Sequence, residues 1–170
     1  EQPTETPSYS LSLPRSFARE TNLSPASLLI FHLAEADEKP PKPEEEETNE
    51  KKEDKEKETE EQETEEEKQP LDFTVELVTQ KGSLARLPVS HFRPLPPPLK
   101  VRFTKSSAME KKWYRSPSEP VFQTYELPLA AFLEADSGFH PAELATIRFR
   151  FDRSPKGVII LDRVGFARQR

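Results

Sequence analysis

The 170-residue chain balances 25 Lys and Arg against 31 Asp and Glu for a formal net charge of −6, and it contains no cysteine. Without cysteine it has no disulfides, no thiolate metal ligands and no thiol nucleophile, and no run of 18 apolar residues is available to cross a bilayer as a helix. The acidity is local, because the block from Glu38 to Pro70 holds 16 acidic and 7 basic residues with no aromatic or aliphatic side chain, leaving the other 137 residues at about +3.

In chain order, Tyr9–Leu13 alternates polar and apolar and then meets Pro14, which suits an edge strand where a missing N–H does no harm. Ser27–Leu33 places Leu29, Phe31 and Leu33 on one face and Leu28, Ile30 and His32 on the other, the pattern of a strand covered on both sides in a sheet interior. The competing reading of this stretch is a helix capped by Ser24 with Pro25 in its first turn. The Glu38–Pro70 block has nothing to bury and is expected to be a disordered insert between strands. Leu71–Val78 then alternates, with Leu71, Phe73, Val75 and Leu77 inward and Asp72, Thr74 and Glu76 outward. Gln80–Ser83 turns the chain into Leu84–Ser90, which Pro88 confines to a sheet edge.

Four prolines within Pro94–Pro98 predict an extended strap, followed by a short strand from Leu99 to Phe103 and a polar loop from Lys105 to Glu119. Val121–Leu127 reads as a strand ended by Pro128, Leu129–Glu134 as a helical turn, and Phe139 and Leu144 as pins to the core. From Ala145 onward, Ile147, Phe149 and Phe151 alternate with Arg148, Arg150 and Asp152. Arg153–Gly157 then supplies a turn, and Val158–Leu161 is apolar on both faces. This predicts a β-hairpin whose second arm is a central strand, with Ile160 crossing from Phe149 and Phe151. About eight short strands with prolines at their ends predict an all-β fold, a two-sheet antiparallel sandwich of jelly-roll type. Residues 1–37 and 71–170 together form it, and 38–70 interrupts it. A first residue of Glu fits a fragment or a processed chain.

The succession LDFTVELV, ARLPVSHF, LKVRFTK, EPVFQTYELPLAAF and FHPAELATIRFRFDRSPKGVIILDRVGF resembles the C-terminal galactose-binding-like β-sandwich of secreted bacterial α/β-hydrolases, over most of residues 71–170. The acidic insert departs from that pattern. The resemblance implies a non-catalytic accessory domain, secreted or in the cell envelope, that packs on an upstream hydrolase domain or binds a carbohydrate or envelope surface. The alternative is a free-standing binding or scaffold protein, and an upstream G-x-S-x-G domain in the parent gene separates the two.

The residues themselves offer little catalysis. Gly82, Gly138, Gly157 and Gly165 do not frame a serine as a nucleophile elbow, and His32, His91 and His140 fall on three separate elements, so neither metal nor cofactor is expected. Asp152 and Asp162 flank the predicted turn and could face each other as a carboxylate pair. The structural reading gives Asp152 to the turn amides and Asp162 to Arg148, Arg150 or Arg163. Trp113 and Tyr114, beside Lys111, Lys112 and Arg115, are the candidate binding residues, since aromatic rings stack on sugar faces. No nucleic-acid-binding motif accompanies them, so nucleic acid is not an expected partner.

Overall fold

The period-two pattern is realised as strands over most of the described residues. The computed structural model describes residues 6–36, 69–100 and 118–168, and within them the chain forms β1 (Ser8–Ser12), α1 (Phe17–Glu20), β2 (Ser27–Ala36), β3 (Thr74–Thr79), β4 (Leu84–Pro88), β5 (Leu99–Lys100), β6 (Ser118–Glu119), β7 (Gln123–Pro128), α2 (Leu129–Ala135), β8 (Leu144–Arg150) and β9 (Val158–Arg168). One antiparallel sheet runs β1-β8-β3-β4, a second runs β7-β2-β9, and β5 and β6 pair as a two-residue ribbon. The expected all-β sandwich is the observed fold. Of the predicted insert at 38–70, residues 38–68 lie outside the described residues.

The two larger sheets meet through the side chains that the alternation turns inward. Phe31 of β2 lies edge-on to Phe149 of β8 with ring centroids 5.4 Å apart, and Phe73 reaches Phe149 at 6.1 Å. Leu29, Phe31, Leu33, Val75, Leu77, Ile147 and Phe149 are all buried in one core. Burial of apolar side chains like these is the dominant favourable term in folding, at roughly 25 cal/mol per Å2 removed from water. Phe139 and Leu144 join the same core as expected, and Phe132 of α2 joins them. β1 is an edge strand and β2 is central, so the strand reading of Ser27–Leu33 holds over the helical one. β3 and β4 make the expected hairpin, and Gly82 takes the positive φ of 88° that its turn requires.

The C-terminal hairpin is not formed. β8 sits in the four-stranded sheet between β1 and β3, whereas β9 pairs only with β2 at the margin of the other sheet. The segment Phe151–Gly157 is therefore an arch from one sheet to the other, and β9 is an edge strand and not a central one. Ile160 lies opposite Ala34 of β2 and does not cross from Phe149. The physical reason is that a turn sequence fixes a change of direction but not the sheet that the chain enters next. Both flanks of β8 are occupied by β1 and β3, leaving no free edge for β9.

Smaller boundaries also shift, and β3 begins at Thr74 in place of Leu71. β7 begins at Gln123, leaving Val121 and Phe122 exposed ahead of it. β5 covers only Leu99–Lys100 among the described residues. The Pro94–Pro98 strap has no regular secondary structure, and it is tied down by buried Leu95 and by the Tyr125 hydroxyl, which donates to the Pro94 carbonyl at 3.2 Å.

Candidate functional site

The arch from β8 to β9 closes one end of the sandwich and creates a groove of about 770 Å3 between itself and the segment that leads into β3. Its floor is apolar. Phe151, the last of the alternating phenylalanines, packs on Phe73 with ring centroids 5.5 Å apart, and Leu71 and Ile159 extend the surface. Its rim is polar, formed by Asp72, Asp152, Arg153, Ser154 and Lys156.

Side-chain bonds rather than a sheet ladder hold the arch. Asp72 is the organiser: its Oδ2 accepts from Arg153 Nε at 2.6 Å and from the Ser90 hydroxyl at 2.8 Å, while Oδ1 accepts from the Ser90 amide at 3.0 Å. The Asp72 amide donates to Ser154 Oγ at 2.9 Å, so one residue is bonded to both the arch and the turn Val89–His91 that follows β4. Thr74 Oγ1 donates to Asp152 Oδ1 at 2.8 Å, and the Phe151 amide donates to the Pro7 carbonyl at 2.9 Å. Charge-assisted bonds of this kind are the stronger ones in proteins, and they keep the polar rim in place. Gly157 allows the arch to close. Its φ is 155°, and a Cβ there would lie 2.4 Å from Leu71 Cδ1.

The structure separates the residues that the sequence placed together. Asp152 belongs to the arch and Asp162 to β9, opposite His32, so they form no carboxylate pair. Asp152 bonds to Thr74 in place of the turn amides, and Asp162 is paired with Arg163 at 3.5 Å. Arg148 and Arg150 go elsewhere, to Glu76. His32 shares a 3.1 Å bond with Thr124, His91 stands against Phe92, and His140 precedes the turn at Pro141. Among the described residues no group of three or more His, Asp and Glu is arranged to hold a metal ion. Trp113 and Tyr114 lie outside the described residues.

Sequence reasoning missed the groove, because Arg153–Gly157 reads in the sequence as the turn of a hairpin. The signal was present in the pairing of Phe151 with a polar, proline- and glycine-containing run. It also missed a β-bulge in the β2–β9 ladder near His32, where Arg163 adopts φ 51° without a glycine to mark the position. No protein-family model, curated protein or solved structure matches the chain.

Proposed function

We propose that the chain is a non-catalytic accessory β-sandwich of a secreted α/β-hydrolase, and that it holds a carbohydrate or envelope surface in the groove under the arch. The observation that carries this reading is the groove itself, where an aromatic and aliphatic floor meets a rim of fixed carboxylate, guanidinium and hydroxyl groups with the exposed Lys156 ammonium beside them. Sugars offer an apolar C–H face and a ring of hydroxyls, and such a surface addresses both. Asp72, Asp152, Arg153 and Ser154 are committed to one another, to neighbouring side chains and to the backbone, which suits recognition better than bond-breaking chemistry. In the resembling family the domain follows a catalytic domain, and the sandwich here has two outer sheet faces on which such a domain can pack.

Glycan-array screening of the full chain tests this proposal. Wild-type protein is expected to retain a defined set of glycans, and Lys156→Ala with Phe151→Ala is expected to lose them. Loss of the same glycans in the Trp113→Ala, Tyr114→Ala double variant would bring these two residues into the contact. Absence of any retained glycan would remove the carbohydrate reading. Ester or glycoside hydrolysis by the purified chain, lost in Asp152→Asn, would replace the accessory reading with an enzymatic one.

A further inference from the structure

We infer that the outer face of the four-stranded sheet carries a site for a tetrahedral oxyanion, a sulfate or phosphate group, held by Arg148 and Arg150 with Ser8 and Thr6. This goes beyond the groove and does not depend on it. The register across the sheet sets two rows side by side. One reads Ser10, Arg148, Glu76, Arg86, and the next reads Ser8, Arg150, Thr74, Pro88. Three guanidinium groups therefore share a face with one carboxylate from the strands, and Asp152 adds a second at the row's end, 3.6 Å from Arg150 Nε.

Glu76 acts as a fastener for the two central arginines. It is only 2% exposed, and its two oxygens take one guanidinium each, Arg148 Nη1 at 3.2 Å and Arg150 Nη1 at 3.5 Å. Arg148 Nε also donates to Ser10 Oγ at 3.3 Å. A guanidinium has five N–H donors in a planar fork, and these bonds leave the Nη2 groups of both residues uncommitted. Side-chain exposures of 41% and 39% keep them open to solvent. Beside them is a cleft of about 300 Å3 lined by Thr6, Ser8, Arg148 and Arg150 and by no carboxylate.

Two forks fixed side by side with two hydroxyl donors match the geometry of an oxyanion with several acceptor oxygens, and a lysine pair would not supply that planar match. The site is built rather than merely charged, since the guanidinium groups are held before any ligand arrives and less conformational freedom is lost on binding. The same group can come as a free ion or as a sulfate ester on a sugar, and one experiment separates these sources.

Sodium sulfate and galactose 6-sulfate are titrated separately into the full chain at constant ionic strength, followed by two-dimensional NMR of backbone amides and arginine Nε–H groups. The expected result is saturable shifts confined to residues 6–10 and 146–150. Arg150→Gln is expected to weaken binding about tenfold or more, the equivalent of losing one charged hydrogen bond, while Ser8→Ala, which leaves the Glu76 pairs intact, weakens it by a smaller factor. Tighter binding of the sugar ester assigns the site to a sulfated carbohydrate, and equal binding assigns it to the free ion. Shifts that never saturate, that map elsewhere, or that sodium acetate reproduces equally well would overturn the site. Loss of the groove's glycans in Phe151→Ala leaves sulfate binding unchanged, so the two proposals fail separately.

Discussion

Glu76 shows how a single register position decides the value of a charge. The alternation of β3 turns it away from the core, which predicts a solvated side chain, yet it is buried because Arg148 and Arg150 close over it from β8. Replacing either arginine by methionine, whose side chain keeps the carboxylate covered, leaves one guanidinium on it, so each single change is expected to cost under about 1 kcal/mol, as exposed ion pairs do. Replacing both by methionine leaves a covered charge without its partners, and the loss is expected to reach about 3–5 kcal/mol. Denaturant titration of the four members of this cycle checks the excess over additivity, and Glu76→Met added to the double variant should recover much of it. Tyr125 is a second case. Burial raises its pKa, with the Arg93 guanidinium opposing, and its hydroxyl bonds to the strap. Folding therefore favours the neutral phenol. Its stabilising contribution is full below the ordinary tyrosine pKa of about 10 and is lost as pH rises through the higher folded value. Wild type is expected to exceed Tyr125→Phe by about 1 kcal/mol at pH 8, and the gap should close under alkaline conditions, measured by unfolding at successive pH values.

At the level of elements, β8 carries the most. It is flanked on both sides by strands, and Phe149 touches Tyr9, Phe31 and Phe73. Phe149→Ala is expected to cost about 3–5 kcal/mol by chemical denaturation; a loss under about 1 kcal/mol would mean that the two sheets do not meet through this ring. Which face of each strand turns inward was legible from residues such as Leu29, Phe31, Val75, Ile147 and Phe149, because a period of two is a local property. Turn chemistry was equally legible at Gln80–Ser83. Partnership was not, since nothing in Val158–Leu161 states whether it pairs with β8 or with β2. The groove followed from that missed partnership and was hidden for the same reason. Arg148 and Arg150 were recognisable as outward-facing, but their convergence on Glu76 depends on a register between strands about 70 residues apart.

For the molecule as a whole, the core formed by the described residues draws on both sides of the acidic block, and Glu38–Pro70 contains no aromatic or aliphatic residue to add to it. Exchanging Lys39–Gln69 for a short Gly/Ser linker is expected to shift the thermal midpoint by less than about 4 °C, the equivalent of roughly 1 kcal/mol or less in a domain of this size, as read by calorimetry. Loss of a cooperative transition would show that the block takes part in the fold. The position of β8 has another consequence, one of timing. Ser10 and Arg148 are 138 positions apart and share a bond, and β2 gains its second neighbour only from β9. Contacts so distant along the chain close slowly and place such sandwiches among the slower-folding topologies. During synthesis, the β3–β4 hairpin and the β2–β7 pair can form early, but each keeps a bare flank open to strands of other molecules. The emergence of β8 and β9, and not the closure of any early hairpin, therefore ends the interval in which the nascent chain is vulnerable to aggregation.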